Sequence, residues 1–245
     1  MNLQSSLKKL ITFNLIMIAV IGDIHGCFYT LEKLYKKIVK KYKNISVYTV
    51  GDLVDRGNFS FEVVNFIIEN NIKFTPGNHD YMFYHFFRDP ESVFAKSWMF
   101  NGNEATLLSY ESNGDAIFRH IDHIKSQPLY YDLDECFISH AGISYHYAKI
   151  LNENIENNVN ILSDYIYADH ATDKGVLWTR DPLLDIGKIQ VVGHTKHQKI
   201  TYDEDSHSVY IDTGACVGNR LSAVIVDANN IVDTIDEKTH LDDIF

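Results

Sequence analysis

Short apolar runs closed by glycine-bearing polar turns recur along the chain, and most are four to six residues long. Residues 16–21 (IMIAVI) form one such run, ending at Gly22. Runs this short, rich in β-branched residues and bounded by turn signals, read as buried strands. The same reading applies to residues 45–50 and to 72–75, the latter closed by Pro76-Gly77. Between them the period changes. Leu31, Leu34, Tyr35, Ile38 and Val39 make a helical stripe over 31–42, and 61–68 reads as a second helix. Residues 81–110 carry mostly helical patterns, as do 116–125. Further strands are expected at 129–133, 136–139, 189–192, 200–202, 209–211, 221–226 and 231–234. The first half alternates strand and helix, and the last fifty residues are mostly strand. That order predicts an α/β domain whose later strands add a mixed or second sheet.

At 245 residues with 45% hydrophobic and 22% charged positions, the chain is long enough for one sizeable core and has ordinary globular composition. Three cysteines exclude a disulfide scaffold and suit reduced cytosolic thiols. The formal net charge of -11 leaves no broad basic surface, so neither nucleic acid nor an anionic membrane is expected as a partner. Residues 10–21 are apolar except Thr12 and Asn14, and Lys8 and Lys9 precede them. Twelve residues cannot span a bilayer, and no small-residue cleavage site follows. Met17 offers an alternative start, which makes residues 1–16 an extension and 17–245 one catalytic domain. A cytoplasmic protein is expected.

The chemistry lies in the turns that close the strands. Six of the runs end in GDIHG (22–26), GDLVDRG (51–57), GNHD (77–80), His140-Ala141-Gly142, GHT (193–195) and DTGA (212–215). Loops at the carboxyl ends of sheet strands converge on one crevice in α/β folds. Each of these loops sets Asp, Asn or His beside a glycine. Oxygen and imidazole donors without thiolate suit a pair of divalent ions, and two such ions are a known device for phosphoester hydrolysis. A single Gly-Asp turn means little, since such turns are common. The complete ordered set does not arise by composition.

That ordered set, GDIHG, GDLVDRG, GNHD, SHAG and GHT, resembles the metallophosphoesterases, and more closely the PPP-type serine/threonine phosphatases of bacteria and phages. The resemblance runs from about Ile18 to Val226. It implies a β-sandwich of two mixed sheets flanked by helices, with a dimetal site at the strand ends. It implies that Asp23 and His25 bind a first metal, that Asp52 bridges, and that Asn78, His140 and His194 bind a second. His79 would be the general acid, with Asp55 orienting its imidazole and keeping it cationic. Arg56 would clamp the phosphate, with Asn78 beside it. Arg180, in Leu177-Trp178-Thr179-Arg180, resembles the second clamp, with a surface ion pair to Asp181 or Asp185 as the lesser alternative. The cofactor implied is two divalent ions, manganese first, with iron or zinc fitting the same ligands. The reaction implied is direct attack of a metal-bridging hydroxide on phosphorus, without a phosphoenzyme. Cys27, beside GDIHG, is read as a packed residue rather than a nucleophile.

The substrate expected is a phosphorylated protein or a small phosphoester. A symmetrical dinucleoside tetraphosphate hydrolase is the alternative; that group resembles GDLVARG at the second motif, where this chain has Asp55. A nucleic-acid end phosphatase and a non-catalytic binding module stand further back, the latter because no ligand is lost. Substrate choice is placed in residues 143–176, a cap segment holding Tyr145, Tyr147, Tyr165 and Tyr167. His120 and His123, at helical spacing, are read as a solvated face. Oligomeric state is left open.

Overall fold

The computed structural model describes residues 17–150 and 159–244. The expected extension at 1–16 and most of the Asn-rich stretch at 152–160 lie outside the described residues. Ten strands are formed: β1 (Ile18–Ile21), β2 (Ser46–Thr49), β3 (Lys73–Phe74), β4 (Tyr130–Asp132), β5 (Phe137–Ser139), β6 (Gln190–Val192), β7 (Thr201–Asp203), β8 (Ser208–Tyr210), β9 (Arg220–Asp227) and β10 (Asn230–Lys238). Each falls where the apolar runs place it. The helices are α1 (Phe28–Lys41), α2 (Ser60–Glu69), α3 (Asn78–Arg88), α4 (Val93–Trp98), α5 (Glu104–Ser109), α6 (Ile117–Lys125) and α7 (Val159–Asp169). Among the described residues no helix is long and apolar enough to cross a membrane.

Two mixed five-stranded sheets stack face to face. The first runs β10-β9-β1-β2-β3 and the second β4-β5-β6-β8-β7. β1, β2 and β3 are parallel, joined by α1 and α2 as crossovers, while β9 runs antiparallel to β1. In the second sheet β5, β6 and β8 are parallel, with β4 and β7 antiparallel at the edges.

Strand periodicity builds the layers. Ile18 and Val20 of β1, Val224 and Val226 of β9, and Ile138, Val191 and Val209 of the second sheet form the apolar filling between sheets. The alternate residues Ala19, Ile21, Ala223 and Ile225 turn outward onto Leu31, Leu34 and Ile38 of α1. Because β1 is buried on both faces, it reads as an unbroken apolar run rather than an alternation. On the far side, Phe137 of β5 meets Leu162 and Ile166 of α7. The described residues of segment 143–176, with α7 foremost, therefore pack on the second sheet with Tyr147 buried, while Tyr145, Tyr165 and Tyr167 stay exposed. At the opposite edge β10 alternates strictly and carries Asp233, Asp236 and Glu237, charges that blunt an open edge.

His120 departs from expectation. It is fully buried in α6, hydrogen-bonded through Nδ1 to the Tyr110 hydroxyl at 2.8 Å and stacked on Phe61. Burial, aided by Arg119, pushes its pKa down to about 4. It is a neutral core histidine, and the i, i+3 spacing to His123 concealed that the two lie at different depths.

The sheet interface is expected to carry much of the stability. Ile138→Ala, at a fully buried position there, should cost about 2–5 kcal/mol. A urea titration reads this as a lower midpoint at unchanged slope.

Candidate metal centre

The parallel strands of both sheets end on the same side, and their loops meet there. Asp23, His25, Asp52, Asn78, His79, His140 and His194 are all buried, none more than 8% exposed. Seven residues spread over 172 positions of sequence thus occupy one place. His25 Nε2 lies 3.3 Å from Asp52 Oδ2, and His140 Nε2 lies 3.5 Å from Asp52 Oδ1. The donor atoms of His25, Asp52 and His79 fall within 4.8 Å of one another, and so do those of Asp23, Asp52 and His140. Asp52 belongs to both groups, one oxygen toward each.

The backbone is bent to achieve this. His25, Asp52, Asp55, Arg56 and His194 all adopt positive φ, between 46° and 73°. Non-glycine residues rarely sit there, and when they do a surrounding structure holds them against strain. Glycine fills the tightest places. A Cβ on Gly77 would lie 2.0 Å from Asp52 Oδ1, and one on Gly193 would lie 1.9 Å from Asp23 Oδ1. Both carboxylates rest against bare backbone.

Hydrogen bonds fix which nitrogen each imidazole presents. The Nδ1–H of His25 donates to the Val54 carbonyl at 2.8 Å, and that of His140 to the Val50 carbonyl at 2.8 Å. Each ring therefore turns a bare Nε2 inward. Burial holds both rings below the usual histidine range, and burial with His140 nearby takes His194 down to about 3. Neutral rings with inward lone pairs are what a metal needs.

These donors fit a pair of divalent ions. Asn78 turns its Oδ1 to His140 Nε2 at 3.1 Å and to His194 Nδ1 at 3.0 Å. Since the His140 proton is spent on Val50, an acceptor faces an acceptor there, an arrangement a cation reconciles. The guanidinium of Arg56 reaches His25 Nε2 at 2.9 Å and His79 Nε2 at 2.9 Å, a positive charge standing where these nitrogens ask for one. Burial, together with Asp212 and Asp52, raises the Asp23 pKa well above the usual carboxylate range. The Asp52 carboxyl is instead held below the usual carboxylate range: burial opposes this, but the imidazoles and the Arg56 guanidinium around it outweigh it.

Beside the metal donors stands a second constellation. His79 Nδ1 donates to Asp55 Oδ2 at 2.7 Å, with Asp55 fully buried. The same oxygen accepts from Trp98 Nε1 at 2.8 Å, and the other accepts from Thr106 Oγ1 at 2.7 Å. Burial lowers the His79 pKa, but the charge of Asp52 and the Asp55 hydrogen bond and charge overcome it, so the net displacement is upward.

Arg180 is exposed and lines a groove of about 580 Å³ with Ala141 and Thr195, the residues following His140 and His194. The ion pair with Asp181 does not form. Asp181 instead engages Lys174 at 3.0 Å and the Ser144 hydroxyl at 3.1 Å. Cys27 is buried and its thiol pKa is pushed far up by burial, which suits a packed residue.

Several residues that shape the centre escape a reading of the sequence. Asp80, inside GNHD, accepts Leu53 N–H and Gly77 N–H at 2.9 Å each, tying the second and third loops together. Burial and Asp52 push its pKa up to about 7. Asp212 adds a further buried carboxylate facing Asp23. Trp98 and Thr106 come from the helical block 81–110, where no local signal marks a partner for Asp55.

The profile of the calcineurin-like phosphoesterase family matches residues 16–226, and the chain belongs to that family. A bis(5'-nucleosyl)-tetraphosphatase PrpE, designated asymmetrical, from Bacillus cereus is 29% identical over 228 residues, spanning 84% of this chain and 88% of its own. Among solved structures, a candidate diadenosine tetraphosphatase superposes with a TM-score of 0.62 at 19% identity, over 94% of this chain and 96% of its own. A protein serine/threonine phosphatase from Saccharomyces cerevisiae, with similarity to human phosphatase PP5, gives 0.62 at 17% identity, over 94% and 81%. Both structural likenesses speak for the fold.

A methyl group in the Asp52 cradle should be intolerable to the metal centre. Gly77→Ala is expected to weaken Mn2+ binding by tenfold or more, roughly 1.4 kcal/mol. Calorimetric titration of chelator-treated protein checks this, with circular dichroism confirming an intact fold.

Proposed function

We propose that this calcineurin-like phosphoesterase is a metal-dependent phosphomonoesterase that acts on phosphoserine or phosphothreonine in proteins and on small phosphoesters of the same chemistry. One observation carries the reading: His79 is held at 2.7 Å by a buried Asp55 whose oxygens are further fixed by Trp98 and Thr106. A poised imidazole acid matters when the leaving group is an alkoxide, which is strongly basic and departs only as it gains a proton. A nucleotide leaving as a phosphate anion has no such need.

The roles proposed are compatible with the geometry. Asp23, His25 and Asp52 would hold one divalent ion, and Asp52, Asn78, His140 and His194 the other. Manganese is the ion proposed, with iron or zinc compatible with the same donors. When bound, such ions acidify water and neutralise phosphoryl oxygens. Arg56 and Arg180 flank the centre and would hold the remaining phosphate oxygens through planar, two-pronged contacts. As Arg56 moves onto phosphate it leaves His79 Nε2, which is then free to carry the proton toward the leaving oxygen. Asp55 keeps the ring's other face fixed and stabilises its positive charge. A cytoplasmic setting is part of the proposal, supported by three unpaired thiols.

The second reading is cleavage of a dinucleoside tetraphosphate. The designation of the Bacillus relative favours an asymmetrical cut over the symmetrical one weighed from sequence. The groove beside Arg180 is large enough for a nucleotide, but Asp181, Asp203, Glu204 and Asp205 line it. A chain of four phosphates would run past those carboxylates, which places this reading second.

The two readings separate on one comparison. Chelator-stripped protein reloaded with Mn2+ is offered a phosphoserine peptide and a dinucleoside tetraphosphate. Faster peptide turnover, falling about 10²–10⁴-fold in His79→Asn, is expected. Preferred cleavage of the dinucleotide into unequal nucleotides, with little loss in His79→Asn, would overturn the first reading in favour of the second.

The pH profile tests the His79–Asp55 pair. Asp55 raises the His79 pKa, so the acid form persists to higher pH than in an unpartnered ring. In Asp55→Asn that support is gone, and the alkaline limb of kcat should move to lower pH. An unmoved limb would mean that another group titrates there.

A further inference from the structure

The family match ends at residue 226, and the chain continues through β10 into a C-terminal segment that returns to the metal centre. We infer that this segment, residues 239–244, is a strap that sets the first metal site, and that Asp243 is its positioning residue. The inference rests on the two-metal reading above.

Asp243 is fully buried. Its Oδ1 accepts the Tyr29 N–H at 2.9 Å, and its Oδ2 accepts the Thr30 N–H at 2.8 Å together with the Thr30 hydroxyl. These amides belong to the first turn of α1, where backbone N–H groups have no partner within the helix. Cys27, the residue preceding α1, supplies no side-chain cap. The cap comes instead from a carboxylate 213 residues further along the chain, and a negative charge at that end also suits the helix dipole.

The strap also pairs with the loop after β2. Asn58 N–H donates to the Asp243 carbonyl at 2.9 Å, Gly57 bridges to Ile244, and the Asn58 side-chain amide reaches the carbonyls of Asp242 and Ile244 at 2.9 and 3.2 Å. On its other side Thr239 Oγ1 donates to the Ala215 carbonyl at 2.9 Å.

The path to the metal donors is short. Gly57 N–H donates to the His25 carbonyl at 3.1 Å, and Phe59 N–H donates to the Gly26 carbonyl at 3.0 Å. A Cβ on Gly57 would lie 2.2 Å from the His25 carbonyl oxygen and 2.9 Å from that of Asp243. Three backbones are therefore stacked without side chains between them: the loop bearing His25, the loop bearing Asp52, Asp55 and Arg56, and the strap. Among the described residues, none of the strap's hydrogen bonds falls on the segments bearing Asn78, His140 or His194. The consequence is asymmetric. Loosening the strap should release His25 and Arg56, while Asp52, which also accepts the His79 N–H at 3.0 Å, stays with the second site.

Calorimetric Mn2+ titration of the chelator-treated full chain reads this directly, without reference to turnover. Wild type should take two ions. Asp243→Asn, and a chain ending at Thr239, should lose affinity about tenfold or more at one site and stay within twofold at the other. KM for a small phosphoester should rise with Arg56 displaced. Adding the peptide THLDDIF to the truncated chain should restore the lost site. Leu241→Ala, at a strap position 81% exposed, is the control that should change neither site. Equal weakening of both sites, or no weakening in a folded variant, would overturn the inference and leave the strap a stabilising element alone. Should Asp243→Asn fail to fold, Asn58→Ala removes only the side-chain ties, and the same one-sided loss of a few-fold is expected; its absence overturns the inference equally. A wild type that binds fewer than two ions would overturn the two-metal reading, and the strap inference with it.

Discussion

Three carboxylates, Asp23, Asp52 and Asp212, are buried together at the ends of strands from two different sheets. Burying one charge is costly, and burying several of the same sign is worse unless a positive partner arrives. The rest of the centre can be understood as the answer to that cost. Neutral imidazoles turn lone pairs inward rather than protons. Arg56 leans over the two nearest rings. Gly77 and Gly193 remove the side chains that would fill the space beside the carboxylates. The arrangement favours positive charge at its centre, as a pair of divalent ions would supply.

Holding such an arrangement open requires a platform that does not relax. The filling between the two sheets supplies it, since β1 and β9 are packed on both faces and have no room to shift. The loops then depart from strand ends whose positions are fixed. They place five non-glycine residues at positive φ, and every one of those residues lies at the metal centre or beside it. Strain of this kind persists only where surrounding structure over-determines it. The sandwich and the strap at residues 239–244 are that surrounding structure.

Much of this was legible in the sequence, for physical reasons that can be named. All ten strands were visible because short β-branched runs between turn residues leave few other solutions. The convergence of the candidate donors was visible because each sits in a glycine-marked turn straight after such a run, so one-dimensional order carried three-dimensional proximity. What stayed hidden was contact between distant segments lacking a motif. Trp98 and Thr106 reach Asp55 from helices whose pattern records only which face is buried. His120 looked solvated because spacing reports direction around a helix and not depth. Asp243 lies among other acidic residues near the chain's end, and nothing local shows that it caps a helix that begins at Phe28.

The same distinction bears on what the centre does. The candidate metal donors fit phosphoester chemistry in general, which is the chemistry of the family. On the proposed reading, His79 and its support narrow the reaction. A histidine needs one partner to be oriented, yet Asp55 is held by Trp98, Thr106 and its own backbone N–H bonded to Ser60 and Thr106. Each donor spent on Asp55 makes its carboxylate less free to turn and so fixes the imidazole more firmly. That arrangement favours a fixed geometry. It suits an acid that must meet one leaving oxygen at one position, and it has no purpose where the leaving group departs unaided. On the proposed reading, the buttress built around Asp55, more than the candidate ligands, is what favours a strongly basic leaving group.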